Sequence, residues 1–261
     1  MTRFQIAVLV AAAGLFLLLY FTCETKPPSQ KAIEKSRALT IEQTDFSSLL
    51  AVAKSRLSPQ GASEVLPLED VLNEASNDSI RASAYKTLSS SWYALGEPAV
   101  AGHYAEEVAK LEESGEAWGI AGTTYLLCTQ QIEAEKERQF CVSRAVVALE
   151  NAISLAPSEL SHRVNLALVY TDFPPADNPM KGILMLRDLV ELHPDNPSVL
   201  FQLGRLAVRT GQWARAIERL DRVVELEPKY RDAWCLLAQA NRETGNAKRA
   251  DYCLDQCQVN N

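Results

Sequence analysis

The 261 residues carry no surplus of positive charge: 26 lysines and arginines stand against 33 aspartates and glutamates, giving a formal net charge of -7 and a pI near 5.2. Phosphate neutralisation needs a basic surface, so a nucleic-acid binder is excluded. Histidine is scarce too. His103, His162 and His193 are the three present, at unrelated places in the chain. No nucleophile elbow or phosphate loop occurs, and the stretch "GEPAVAG" at 96–102 lacks the lysine of a Walker motif. His193 precedes Pro194, where a cation would meet the negative end of a helix dipole, so capping accounts for it better than catalysis. Without a converging acid, base or nucleophile, no enzyme, catalytic residue or cofactor is expected.

Cysteine is present but carries no recognisable pattern. Cys23, Cys128, Cys141, Cys235, Cys253 and Cys257 include no CxxC pair and no density resembling a disulfide framework. Cys253 and Cys257 fall at i, i+4 on one helix face, a spacing that suits two metal ligands, but no histidine lies nearby to complete a zinc site. The expectation is that these thiols are small buried hydrophobes, with no metal bound.

What is there begins with a membrane element. "FQIAVLVAAAGLFLLLYF", from Phe4 to Phe21, contains no charged residue. At about 1.5 Å rise per residue its length approaches the roughly 30 Å of a hydrocarbon core, so a span is favoured over a buried helix. The exit "LYFTCETK" lacks the small residues of a cleavage site, and Tyr20, Phe21 and Thr22 ahead of Cys23 depart from a lipobox. Arg3 and the α-amino group favour a cytoplasmic N-terminus, whereas Lys26, Lys31, Lys35 and Arg37 pull the other way. The chain is therefore expected in a membrane as a single-pass protein, that of the bacterial inner membrane, with the side of its C-terminal domain undecided.

Residues 1–23 are read as the anchor and 24–43 as a polar tether stiffened by Pro27 and Pro28. Residues 44–81 form an expected helical cap: Thr44 stands as an N-cap, and a second amphipathic piece is kinked or broken at Pro67. Globular content, 47% hydrophobic and 23% charged, supports a folded domain beyond it.

That domain repeats. In "NPSVLFQLGRLAVRTGQWARAIERLDRVVELEPKY", numbered from Pro197 as position 1, Leu200, Leu203, Gly204 and Ala207 share one helix face at i, i+3, i+4, i+7. Gly211 marks a turn, a second helix carries Ala216, Leu220 and Val223, and Pro228 ends it. A shift of 34 residues superposes Trp234, Leu237, Ala238, Gly245, Ala250, Leu254 and Cys257. Three earlier copies follow the same register, at 82–114, 115–159 and 160–196, ahead of 197–230 and 231–261. The second and third have insertions, at "QQIEAEKERQ" and "TDFPPADNPM".

Aligned so, position 8 reads Ser89, Gly122, Ala167, Gly204, Ala238, and position 20 reads Ala101, Ala145, Gly182, Ala216, Ala250. Two helices approach closely only where neither carries bulk, and neighbouring large residues fill what is left. In "WGIAGTTY" at 118–125, Ala121 and Gly122 let backbones close while Trp118 and Tyr125 seal the adjacent space.

The pattern W-x2-(L/A)-G-x2-Y, then A, then a large apolar residue, then P, resembles the tetratricopeptide repeat over residues 82–261, about two thirds of the chain. The resemblance implies an all-α fold, a right-handed superhelical solenoid of helical hairpins behind one N-terminal transmembrane helix. It also implies a concave wall that holds a partner peptide or helix. Onto that wall it places Asn165, Phe201, Gln202, Arg205, Arg209, Gln239 and Arg242, together with Val164, Leu168, Val208 and Cys235. Three arginines beside an aromatic and amides suit an acidic or extended segment. The two-carboxylate clamp of chaperone-binding relatives is not matched: Lys86 fits, but Ser90 and Ile120 replace the asparagines. The expected function is a membrane-anchored scaffold that recruits a partner protein. The alternative is a self-associating assembly subunit joined as a homo-oligomer through its last repeat.

Overall fold

The computed structural model describes Gln5 and residues 46–260. The expected anchor and tether, and the first residues of the cap, lie outside these. Residues 46–260 form twelve helices and no strand: α1 Phe46–Arg56, α2 Pro59–Asn73, α3 Asp78–Ala94, α4 Pro98–Glu112, α5 Gly115–Gln131, α6 Glu135–Leu155, α7 Leu160–Asp172, α8 Lys181–Leu192, α9 Pro197–Arg209, α10 Trp213–Leu226, α11 Arg231–Glu243 and α12 Ala247–Val259. Among the described residues no helix is long and apolar enough to cross a membrane.

From α3 onward the helices pair as hairpins, α3–α4 through α11–α12, and each hairpin packs on the next. Local signals start and stop them. The side chains of Asn77, Ser114, Asn196 and Asn246 each accept a hydrogen bond from a backbone N–H in the first turn of α3, α5, α9 and α12. Capping by Asn77 also explains why α3 begins at Asp78, ahead of the Ala82 at which the periodicity becomes visible. Three hairpins turn in the same way. Gly96, Gly211 and Gly245 adopt φ of +80°, +69° and +79°. Each donates to the carbonyl three residues back, while the next residue donates five back, a Schellman closure that only glycine adopts without strain.

The small positions are where the helices meet. Ser89 on α3 donates its hydroxyl to the carbonyl of Ala101 on α4, 2.9 Å away. A Cβ on Gly122 would come within 2.6 Å of Leu149 Cγ, and one on Gly204 within 2.7 Å of Leu220 Cγ. Tyr125 is fully buried and covers Gly102 of the preceding hairpin, where an added Cβ would meet its ring at 2.6 Å. Trp118 packs on Ala105, Ala121 and Ala148. Large side chains thus close over the gaps that small ones open, both within hairpins and between them.

Two expectations are corrected. Helix α2 continues through Pro67, so of the kink or break expected there the break does not occur; Pro67 is exposed, and the carbonyl it leaves without an N–H partner can be solvated instead of ending the helix. The cysteines are not simply buried hydrophobes: Cys128 is bonded to Cys141 and Cys235 to Cys257, leaving Cys253 as a buried thiol. Sequence spacing concealed these pairs, because each joins the two helices of one hairpin and the separation depends on the length of the intervening turn.

The cap also differs from a hairpin. α2 packs on α3, whereas α1 lies along α4. There Phe46 stacks on His103 at a centroid distance of 3.4 Å and meets Tyr104 edge-on, and Arg56 pairs with Glu97 at 3.3 Å. Burial drives the His103 pKa down to about 4, against the pull of Glu107 and Glu106. A base with a depressed folded pKa stabilises the fold fully above its ordinary value and loses that contribution as pH falls towards the folded one. Stability is therefore expected to drop between about pH 6.5 and 4. His103→Phe, which keeps the stack, should reduce that drop by roughly 2 kcal/mol in urea titrations across the window. An unchanged pH slope would remove His103 from the account.

Candidate functional site

First helices α3, α5, α7, α9 and α11 recur once per hairpin. α5 touches α7, α7 touches α9 and α9 touches α11. The wall positions of the sequence fall on them, but the structure divides those residues sharply.

Phe201 is not on an open surface. It is 8% exposed, and its ring lies 4.8 Å from that of Tyr230, which precedes α11 and covers it. Val164, Leu168 and Val208 are buried as well, and Cys235 is committed to its disulfide. Two of the three arginines expected to meet an acidic segment already share a carboxylate. Asp172, at the end of α7, accepts from Arg209 Nη1 at 2.5 Å and from Arg205 Nη2 at 3.4 Å. Arg205 also donates to Gln202 Oε1 at 3.0 Å. Gln239 and Arg242 remain exposed on α11. Asn165 turns towards the preceding hairpin, its Nδ2 donating to Thr123 Oγ1 at 3.1 Å.

That last bond leads to a site that the sequence reading missed. α5, α7 and the turn before α7 enclose a cleft of about 660 Å³ lined by Glu116, Gly119, Ile120, Thr123, Thr124, Ser161 and His162, among others. Gly119 shapes it: a Cβ there would meet His162 Nδ1 at 2.8 Å, so the missing side chain lets the buried imidazole pack directly on α5. Ile120, one residue on, is 56% exposed. A large aliphatic side chain held this open beside a cleft is available for contact.

The polar chemistry of this part of the wall is mostly uncharged. Thr124 Oγ1 donates to the carbonyl of Ile120 at 2.8 Å, Thr87 Oγ1 to that of Ser83 at 3.0 Å and Ser90 Oγ to that of Lys86 at 3.1 Å. Each hydroxyl hydrogen is spent on its own helix, so the oxygen faces outward as an acceptor. The cations and carboxylates nearby are few. Lys86 is paired with Glu112 at 2.5 Å, Glu159 accepts from Ser161 N, and Glu116 is exposed at the cleft margin. The Ile120 signal was present in the sequence, where it had counted only as a departure from the carboxylate clamp.

Residues 201–255 match the model of the tetratricopeptide repeat. A TPR repeat-containing protein of Pseudomonas aeruginosa is 37% identical over 62 residues, covering 24% of this chain and 59% of the relative. Among solved structures, MamA of Desulfovibrio magneticus RS-1 aligns at 18% identity and TM-score 0.46 over 68% of this chain and 93% of that one. YrrB, a TPR protein described as having an unusual peptide-binding site, aligns at 18% identity and TM-score 0.41 over 74% and 91%. Residues 201–255 are thus similar to the tetratricopeptide repeat, and the described residues form an all-α stack of helical hairpins.

Proposed function

We propose that the chain is a membrane-anchored, non-catalytic scaffold that recruits a partner protein through the first-helix face of its repeats. The apolar run from Phe4 to Phe21 would supply the anchor and raise the local concentration of the recruited protein at the membrane. The observation that carries the binding reading is the α5–α7 cleft, in which exposed Ile120 stands beside Thr124, whose hydroxyl hydrogen is spent on its own helix and whose oxygen is left to accept. An extended segment offers backbone N–H donors at regular spacing together with an apolar side chain, which fits this surface better than an acidic tail does. Arg205 and Arg209, two of the three arginines an acidic tail would need, already share the carboxylate of Asp172.

The test is photocrosslinking in cells, with a photoreactive residue placed at Ile120 or, as a control, at Val147, which is 45% exposed on α6. One discrete adduct from position 120 and none from position 147 is the expected pattern. Equal labelling from both sites would remove the cleft as a recruiting surface. An adduct that proves to be a second copy of this chain would favour self-assembly instead.

A further inference from the structure

Five cysteines are described, and four of them face one another in pairs across hairpins. Cα separations of 6.0 Å for Cys128 and Cys141 and 5.0 Å for Cys235 and Cys257 lie within the range a disulfide spans without moving backbone. The α5–α6 connection, like that of α7–α8, has no left-handed glycine and no Schellman closure, so the Cys128–Cys141 bond ties a hairpin that such a turn does not close. The Cys235–Cys257 bond ties the two helices of the α11–α12 hairpin. Cys253 lies on α12 one helical turn before Cys257 but packs into the core instead, among residues that include Leu220 and Leu237.

We propose that both bonds form in the cell and that the repeat domain accordingly lies on the oxidising side of its membrane. Disulfides persist in such compartments and are rare where thiol reductants are maintained. Each bond forms as two thiols give up two protons and two electrons. Both electrons pass to the disulfide of a protein thiol oxidant, which departs as a dithiol. The sidedness rests on the anchor reading above: with the Phe4–Phe21 run as the one span, an external repeat domain puts Arg3 and the N-terminus in the cytoplasm. The pairing itself does not depend on it.

The test uses the full-length chain in its own membranes. Thiols are quenched with acid, the protein is alkylated under denaturing conditions, digested without reduction and mapped by mass spectrometry. Lys136 and Arg138 separate Cys128 from Cys141, Arg242 separates Cys235 from the C-terminal peptide, and cleavage at Asp255 divides Cys253 from Cys257. Two cross-linked peptide pairs with alkylation at Cys253 alone among these five are expected. Alkylation at all five, or pairing that involves Cys253, would overturn the proposal. A C-terminal reporter that is active only in an oxidising compartment, scored with membrane fractionation, reads the other half. An inactive reporter on a membrane-bound chain overturns the sidedness. A chain found outside the membrane fraction overturns the anchor reading and leaves the disulfide map to stand or fall by itself.

Discussion

Glu106→Ala is expected to destabilise the repeat domain by about 3 kcal/mol, read as a lowered urea midpoint in circular dichroism. The carboxylate of Glu106 is 2% exposed on α4. It accepts from Arg144 Nε of α6 at 2.8 Å and from a second guanidinium nitrogen, Nη2, from the Tyr125 hydroxyl of α5 at 3.1 Å, and it pairs with Lys110 at 3.1 Å. One buried group thus ties together three helices from two hairpins. Burial alone would raise its pKa, but Arg144 and Lys110 outweigh that and hold it below the usual carboxylate range. A depressed carboxylate stabilises the fold above its unfolded value and loses that contribution as pH falls through the folded one, so the variant's deficit should shrink in acid. The loss comes chiefly from the partners left behind, a half-buried guanidinium and a buried phenol. The companion test is therefore Glu106→Met with Arg144→Met, in which both charges go and the volume is kept. That double variant should recover most of the lost stability. If it is as unstable as Glu106→Ala, packing around the site and not the unpaired charge sets the cost.

Such a network also shows which parts of this molecule were legible in sequence. Helical hairpins could be read because side-chain volume recurs at a fixed period: Gly122 and Gly204 share one small position of the first helices, Gly182 stands at the small position of the second, and close approach of helices demands both. The bond between Glu106 and Arg144 spans 38 residues across an insertion, and nothing in either local pattern announces it. The wall arginines illustrate a different limit. Their positions put Arg205 and Arg209 on first helix α9, yet pairing with Asp172 of α7 is a contact between successive hairpins and depends on how far one is rotated past the other. Phe201 occupied a wall position by register and was covered by Tyr230 from the following turn, a residue outside either helical face. Faces are encoded by period. What one repeat places over the face of another is encoded only in their relative orientation, and that decides which wall residues remain open.

The second large effect is expected at Gly182, near the start of α8. Alanine normally stabilises a helical position relative to glycine by up to about 1 kcal/mol, because less backbone freedom is lost on folding. Here the sign should reverse. An added Cβ would sit 2.5 Å from the backbone nitrogen of Thr171 and 2.6 Å from the carbonyl oxygen of Ala167, both on α7. Backbone atoms inside a helix cannot swing aside as the end of a side chain can, so α7 and α8 must separate along their shared length. Gly182→Ala is therefore expected to cost about 3 kcal/mol, the upper end for overpacking a close contact. Gly211 supplies the contrast. A Cβ there meets nothing within 4 Å, but its φ of +69° is one that alanine adopts only under strain, worth roughly 1–2 kcal/mol. Asparagine at 211 should recover part of that loss, because its side chain tolerates the left-handed region, whereas no residue larger than glycine should rescue 182. Urea unfolding of the three variants separates the two requirements, space at one glycine and backbone conformation at the other. A Gly182→Ala chain as stable as the parent would mean that α7 and α8 do not touch as closely as described.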